Sequence, residues 1–287
     1  MDPRTRALLE ANLDDMLTAL GWSDIPILSR AARLLARRPA LRFAREMTAF
    51  DDEVGRIGIA AAAGGLLAGF ARDVRVRGIR HIPPRGPALL LSNHPGMTDT
   101  LVLLSSIPRS DLRVLAAERP ILGALPSAAR SLILLPDERE RRMAPVRCAV
   151  SHLRAGGALL TFPAGEIEPD PGVHTGAVEA LARWSDSSMA FLRLVPDCVV
   201  VPLIVSGVLE PRAQRSLILA LRRKKKDRER LAAMLQVLVH TLWPSRWRTR
   251  VSLDVLPAIP GRDLLAEGDR ANAALIETLA ARLRERA

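Results

Sequence analysis

The chain has 287 residues, of which 48% are hydrophobic and 25% are charged, values that exclude a chain disordered throughout and fit a globular protein. Its formal net charge is +11, and its two cysteines, Cys148 and Cys198, form neither a metal-ligand spacing nor a disulfide framework. The composition therefore predicts one large α/β domain, or one domain with a helical extension, whose two thiols stay reduced.

The first 72 residues carry apolar residues at helical spacing. We expect one helix up to a break between Gly21 and Pro26, a second helix through Arg38, and a third helix after Pro39. Residues 1–72 are thus predicted to form an N-terminal helical cap, which also offers a candidate membrane-docking segment.

Two stretches of this region bear on the cellular compartment. The start, from Met1 to Glu10, is charged, so no secretory signal is predicted. The longest apolar run, from Ile57 to Ala71, covers 15 residues and contains four glycines. A spanning helix needs about 20 residues, so we expect no transmembrane helix. The run is either a core helix or a helix lying at a bilayer interface, and the core helix is favoured.

After Asp73, short apolar runs alternate with helical patterns, which is typical of a sheet covered by helices on both faces. Residues 73–287 are predicted to form an α/β domain with a largely parallel or mixed seven-stranded sheet. The helical stretch from Arg262 to Arg286 carries a leucine stripe that should pack on this sheet. The predicted strands are Val74 to Ile79, Pro87 to Ser92, Leu112 to Ala116, Leu132 to Leu135, Gly157 to Phe162, Cys198 to Ser206 and Val251 to Leu256.

A histidine and an aspartate follow the second of these strands. His94 precedes Pro95-Gly96, which predicts a tight turn, and Asp99 lies in the first turn of the helix expected to begin near Thr98. Histidine accepts a proton near neutral pH, and a carboxylate beside it fixes its tautomer and stabilises its cation. The block therefore predicts His94 as a general base and Asp99 as the residue that orients it.

A second chemical block ends the fifth predicted strand. It reads Phe162-Pro163-Ala164-Gly165-Glu166. Gly165 lets the backbone approach a bound phosphate or carbonyl closely, because it has no Cβ. In an α/β sheet, both blocks would meet at the carboxyl ends of the strands, where active residues gather.

The basic excess of the chain is concentrated between residues 212 and 250. This segment holds twelve Lys and Arg but only Asp227 and Glu229, a net charge of +10. Basic residues next to apolar ones, with Trp243 and Trp247 on either side of Pro244-Ser245-Arg246, suit an anionic lipid surface. An acidic acyl carrier protein and a solvated helix end without a partner are the alternatives. Nucleic acid is a minor alternative, since aromatic residues are few and no DNA- or RNA-binding motif is present.

Four blocks along the chain resemble, in order, those of the glycerolipid acyltransferases, the family of 1-acylglycerol-3-phosphate acyltransferase. They are Asn93 to Asp99, Glu118 to Gly123, Phe162 to Glu166 and Val201 to Leu203. The resemblance spans roughly residues 74 to 260, and four ordered blocks are more specific than one.

The third block differs from that of the members that use phosphate-bearing acceptors. Those members have Glu and Arg where this chain has Ala164 and Ile167, so lysophosphatidate is a doubtful acceptor. The Phe-Pro-Ala-Gly form is similar to the branch of hemolysin-like and ornithine-lipid acyltransferases. Glu166 would then contact a cationic acceptor or pair with an arginine.

Two further assignments follow from the resemblance. The arginine that ends the second block of the family matches Arg139, Arg141 or Arg142, and Arg139 is favoured. His174 stands at a position that is often basic in the family. The residues expected to contact substrate are Asn93, Gly96, Arg139, Phe162, Pro163, Gly165 and Glu166.

The resemblance implies transfer of a fatty acyl group from acyl-CoA or acyl carrier protein to a hydroxyl or amine of a lysophospholipid-like acceptor. His94 would take the acceptor's proton, and backbone amides after Pro95 and near Gly165 would stabilise the oxyanion. Neither a covalent intermediate, nor a cofactor, nor a metal is expected. The alternatives are a non-catalytic membrane-binding protein and a thioester or ester hydrolase. The expected location is cytoplasmic, peripheral on the inner face of the cell membrane.

Overall fold

The computed structural model describes residues 1–173, 176–244 and 246–285, with the backbone alone at Lys225 and Lys226. The strands in these residues are β1 (Ala71–Arg77), β2 (Ala88–Ser92), β3 (Arg113–Ala117), β4 (Leu132–Leu135), β5 (Ala158–Thr161), β6 (Val199–Ser206), β7 (Thr249–Val255) and β8 (Ile259–Pro260). The helices are α1 (Pro3–Leu20), α2 (Pro26–Ile57), α3 (Ile59–Phe70), α4 (Met97–Ser106), α5 (Pro120–Gly123), α6 (Pro126–Ala129), α7 (Met143–Arg154), α8 (Ala177–Ala180), α9 (Ser187–Leu194), α10 (Pro211–Gln214), α11 (Lys225–Leu242), α12 (Gly261–Ala266) and α13 (Ala271–Arg284). Short 3-10 turns cover Ile79–His81, Arg139–Arg141, Leu181–Arg183, Leu217–Leu221 and Gly268–Arg270.

The strands form one mixed sheet in the order β1-β7-β6-β2-β5-β3-β4, with β8 paired to β6. All pairs are parallel except those of β6 with β7 and with β8, which are antiparallel. The predicted α/β fold is confirmed, and each of the seven predicted strands is present. The predicted strand number was wrong, because β8 has two residues and one of them is Pro260, too little for a sequence pattern to reveal.

The two faces of the sheet are each covered by helices. In β2, Leu90 points into the cluster that includes α3 and α4, whereas Leu89 and Leu91 point into the cluster that includes α7, α9 and α13. All five residues of β2 are buried, as expected for a central parallel strand. Each buried leucine contributes about 1.5–3 kcal/mol to stability, so the core of the sheet fixes where β2 ends.

The N-terminal helices form a layer against the first of these faces. The side chain of Asp2 caps α1 by accepting the Thr5 N–H at 2.9 Å, and α2 packs along α1. The predicted third helix after Pro39 was wrong, because α2 continues through Pro39. Proline frees the carbonyl four residues earlier, that of Leu35, and the helix tolerates this because the side chains of Leu34 and Leu35 place this turn of α2 at the solvent-exposed surface.

Most of the apolar run from Ile57 to Ala71 forms α3, which packs on α4 and buries Ala62, Ala63, Leu67 and Phe70. This supports the favoured core helix. Among the described residues, no helix has the length and apolarity that crossing a bilayer requires.

The C-terminal segment packs as predicted. Leu264 of α12 and Leu275, Leu279 and Leu283 of α13 belong to the second core cluster together with strand residues such as Leu89. The leucine stripe therefore faces the sheet, and the helices on this side close the face opposite to α3 and α4.

Candidate active site

The loop after β2 is held by Asn93. Its side-chain Nδ2 donates to the carbonyl of Val205 at 2.9 Å, and the Val205 N–H donates to its Oδ1 at 2.8 Å. Asn93 thus continues the pairing of β2 with β6 beyond the end of β2. This buried amide has both polar atoms on Val205, and its predicted contact with substrate stays a prediction.

His94 and Asp99 meet across the turn. The distance from His94 Nδ1 to Asp99 Oδ2 is 2.8 Å, the Asp99 side chain is fully buried, and the His94 side chain is 25% exposed. The Gly96 N–H donates to the same Asp99 oxygen at 3.0 Å and so helps to shape the turn, while the predicted role of Gly96 in substrate binding stays a prediction. The pair predicted from the sequence is therefore in direct contact, and part of the His94 side chain is exposed.

The opposite oxygen of Asp99 is held by Thr100, whose hydroxyl donates to Oδ1 at 3.0 Å and whose N–H also contacts it. Asp99 lies in the first turn of α4, where a negative charge is favoured by the helix dipole. The carboxylate is thus fixed by backbone and side-chain donors as well as by His94.

Phe162 and Pro163 follow β5, the parallel neighbour of β2. The Phe162 ring packs against the His94 imidazole with centroids 4.4 Å apart, while Pro163 is buried. Gly165 has a φ of 65°, which favours glycine, and space around it is open. Its N–H donates to the Phe162 carbonyl at 3.0 Å, so the amide expected to stabilise an oxyanion is already used in the turn.

Glu166 and Arg139 do not join His94 in any contact that the structure describes. Glu166 pairs with Arg183 at 3.1 Å, which supports the arginine alternative over a cationic acceptor. Arg139 lies exposed in the turn after β4, and β4 is three strands from β2, about 14 Å at ordinary strand spacing.

The four blocks of the resemblance fall on four adjacent strands. They lie on β6 or directly after β2, β5 and β3, in the sheet order β6-β2-β5-β3. The blocks after β2, β5 and β3 share the carboxyl edge of the sheet, because these strands are parallel. Val201 to Leu203 are buried in β6 and pair with β2. They therefore hold in place the strand that leads into the loop with His94.

Glu168 is a site residue that the sequence analysis missed. Its Oε2 accepts the His94 N–H at 2.9 Å, its N–H donates to the His94 carbonyl at 2.8 Å, and its Oε1 accepts the indole N–H of Trp184 at 2.9 Å. Only 1% of Glu168 is exposed. It lies in an irregular segment two residues after the third block, and its only signal is an acidic residue between Ile167 and Pro169.

The pKa values of His94 and Glu168 are both raised. Burial lowers the pKa of His94, but the charge and hydrogen bond of Asp99, together with the charge of Glu168, outweigh it. Burial raises the pKa of Glu168 to about 7, against the opposing hydrogen bonds from Trp184 and from the His94 backbone. Two carboxylates therefore favour the cationic form of His94.

The other histidines are used in packing or backbone contacts. His81 contacts the Val255 carbonyl at 2.9 Å, His152 contacts the Ala158 carbonyl at 3.1 Å, and His240 stacks on Phe70 with ring centroids 3.7 Å apart. His174 lies outside the described residues. Within the part of the chain that the structure describes, no group of His, Cys, Asp and Glu side chains could hold a metal ion.

Comparison with known proteins gives a family match for the segment that carries this site. Residues 73–206 match the family model described as Acyltransferase. The chain is also similar to the crystal structure of the 1-acyl-sn-glycerophosphate (LPA) acyltransferase PlsC from Thermotoga maritima, with 16% identity over 94% of each chain and a TM-score of 0.44. No curated protein matches the chain by sequence.

Proposed function

We propose that this enzyme, whose residues 73–206 match the Acyltransferase family model, moves a fatty acyl group from a thioester to a hydroxyl or amine of a lysophospholipid-like acceptor. The donor is acyl-CoA or an acylated carrier protein. The observation that carries the proposal is the 2.8 Å contact between His94 Nδ1 and the fully buried Asp99.

The pair supports proton transfer at the second ring nitrogen. Because Nδ1–H donates to Asp99, His94 Nε2 carries the free lone pair. Nε2 removes the acceptor's proton while the acceptor's oxygen or nitrogen forms a bond to the thioester carbonyl carbon. The carbon–sulfur bond then breaks, and the leaving thiolate takes the proton from the imidazolium. Asp99 stabilises that imidazolium while it exists.

The start of α4 supplies donors for the oxyanion. The Gly96 N–H is held by Asp99, whereas the N–H groups of Met97 and Thr98, in the first turn of α4, have no acceptor within the helix. These amides lie within a few residues of His94 and at the positive end of the helix dipole. We assign the oxyanion to them rather than to Gly165.

The side chains of the third block limit which acceptor molecules the enzyme can bind. Ala164 packs against the core and Ile167 is half-buried, and neither side chain can pair with a phosphate. We therefore propose an acceptor other than lysophosphatidate, from the lysolipids or amino-acid lipids that the branch with a Phe-Pro-Ala-Gly block indicates.

The test is a thiol-release assay. Purified protein receives acyl-CoA and a panel of lysolipids, with and without the His94→Ala substitution. We expect acceptor-dependent thiol release and an acylated lipid product, both abolished by His94→Ala. His81→Ala is the matched control, because this half-buried histidine contacts the Val255 carbonyl instead, and it should retain activity. Thiol release without an acceptor would indicate a hydrolase, and no release would indicate a non-catalytic protein; either result overturns the proposal.

We further propose that the enzyme binds the anionic surface of the inner face of the cell membrane through a docking surface made of residues 212–250 and the start of α2. Leu217 is 91% exposed in this segment of net charge +10. Ile27, Leu34 and Leu35 of α2 are also exposed. Exposed apolar side chains next to basic ones are typical of interfacial binding.

Contacts join the two parts of the docking surface. Ala19, near the end of α1, packs in one cluster with Leu219, Leu231 and Ala232. The guanidinium of Arg222 lies against Gly21, in the loop that leads into α2. A groove of about 560 Å³, lined by residues that include Arg215, Arg223 and Arg228, opens in the same segment and suits an anionic headgroup. Ser245, between the two tryptophans of this segment, lies outside the described residues.

Binding is tested with vesicles of phosphatidylcholine alone and with added phosphatidylglycerol. Arg223→Gln with Lys224→Gln removes two exposed charges, each contributing about 1 kcal/mol, so binding to the anionic vesicles should weaken about thirtyfold. Arg193→Gln with Arg284→Gln, on the opposite face in α9 and α13, is the control and should bind normally. If both double variants bind anionic vesicles equally well, the proposal is contradicted. It is also contradicted if the protein binds an acidic carrier protein tightly and does not bind vesicles.

A further inference from the structure

We propose that Glu168 is a positioning residue whose backbone and carboxylate hold His94 in place for proton transfer. The inference rests on the proposed role of His94 as general base. It concerns a residue outside the four blocks, in the irregular segment after β5.

The first argument is the backbone pairing of Glu168 with His94. The Glu168 N–H donates to the His94 carbonyl at 2.8 Å, and the Glu168 carboxylate accepts the His94 N–H at 2.9 Å. One residue thus holds both backbone polar groups of the other. β2 and β5 are parallel neighbours, so this link joins the loops at their carboxyl ends and holds the imidazole at a fixed depth above the sheet.

The second argument is that the site requires a carboxylate. Two N–H donors, from the His94 backbone and the Trp184 indole, point at the two oxygens of Glu168 at 2.9 Å each. A carboxylate accepts both bonds, whereas a glutamine would turn its own N–H donors toward one of them. A residue that only filled space here would need neither charge nor two acceptors, and burial of a charge is costly.

The third argument is the effect of this charge on the imidazole. The charged groups that face His94 are Asp99 from α4 and Glu168 from the loop after β5; Glu168 in turn faces Arg183 from the turn after α8. Asp99 acts on the ring directly, while Glu168 acts from the backbone side. Both raise the pKa of His94, so removal of the Glu168 charge should make His94 a weaker base.

Glu168→Gln is the decisive variant, and Asp170→Asn is its matched control. Asp170 is also a buried carboxylate that accepts backbone N–H groups, those of Gly172, Gly207 and Leu209, but it does not contact His94 in the described structure. The side-chain resonances of His94 are followed by NMR against pH, together with the pH dependence of kcat/KM. Folding of each variant is checked by circular dichroism.

We expect Glu168→Gln to move the His94 titration and the acid limb of kcat/KM to lower pH. We also expect kcat to fall about tenfold to a hundredfold, as displacement of a catalytic group does, with little change in KM. Asp170→Asn should leave the His94 titration in place. A Glu168→Gln variant with the wild-type kcat and pH profile overturns the inference.

A second measurement tests the electrostatic interaction between Glu168 and His94, and it does not require the Glu168 variant to fold. The Trp184 indole N–H resonance reports the protonation of Glu168 and should titrate near pH 7. His94→Ala keeps the backbone bonds but removes the imidazolium that lowers the pKa of Glu168, so this titration should move to higher pH. No movement overturns the inference. If wild-type enzyme releases no thiol, the proposed function fails separately, since these titrations do not depend on turnover.

Discussion

Nδ1 of His94 lies 2.8 Å from Oδ2 of Asp99, and the carboxylate is buried while the imidazole is partly exposed. This asymmetry gives the two residues different roles, because only His94 can reach a substrate. Asp99 acts on the ring from the protein side.

Asp99→Asn should lower kcat about 10³- to 10⁴-fold, the effect of losing the carboxylate in a comparable histidine pair. Asparagine offers a donor as well as an acceptor to Nδ1, so the tautomer with a free Nε2 is no longer favoured. The measurement is steady-state thiol release from acyl-CoA. Asp111→Asn, which removes a partner of Arg109 away from the site, should keep its activity; equal activity of wild type and Asp99→Asn would refute the pairing.

The stability of the protein should depend on Glu168 between pH 4.5 and pH 7. The pKa of Glu168 rises from 4.5 to about 7 in the folded chain, so its contribution to folding is greatest below pH 4.5 and is lost as pH rises through about 7. Wild type should therefore lose about 3 kcal/mol of unfolding free energy relative to Glu168→Gln over this range. The raised pKa of His94 acts in the same direction. Urea unfolding at pH 5 and pH 8 measures the difference, and a pH-independent difference would contradict it.

Asn93→Ala should destabilise the protein by about 2–6 kcal/mol. It leaves the N–H and carbonyl of Val205 unpaired in a buried place, and each unsatisfied buried group costs about 1–3 kcal/mol. Chemical denaturation measures this loss. Asn272→Ala, which removes one bond of 3.4 Å to the Trp184 carbonyl, should cost less than about 1 kcal/mol. Similar losses for both would show that Asn93 does not tie β2 to β6.

The two thiols should react at very different rates. Cys148 is exposed, whereas Cys198 is buried, and burial raises the pKa of Cys198 to about 12. Because the thiolate is the reactive form, a thiol reagent at pH 8 should label one cysteine in the native protein and both in urea. Cys148→Ala should then show no fast labelling; fast reaction of that variant would place Cys198 within reach of solvent.

The sequence predicted the His94–Asp99 contact because both residues lie on one short turn between a strand and a helix, where local rules decide the geometry. It predicted the seven longer strands for a similar reason, since continuous apolar runs such as Leu89 to Leu91 need burial on both faces. These features depend on neighbours in the chain.

Glu168 and the continuous α2 depend instead on distant or solvent contacts. Glu168 lies 74 residues from His94, and nothing in its local sequence predicts the two N–H groups that donate hydrogen bonds to its carboxylate. Pro39 disfavours a helix locally, but packing of Phe43 and Met47 against Leu8 and Leu9 holds α2 together. The sequence singled out Asn93 as a polar residue at the end of a strand. Its partner, Val205, could not be predicted, because it depends on the pairing of β2 with β6.

The pairing of β1 with β7 has a consequence for how the chain is made. Val74 lies beside Val251 in parallel register, so the N-terminal strand takes its place in the sheet only after residues near 250 have left the ribosome. The helices that precede β1 do not share this dependence, because α3 packs on α4, which is much closer in the chain. Closure between segments so far apart in the chain is slow, and until it occurs the buried side of β7, including Val251, stays open to a chaperone or to the bilayer.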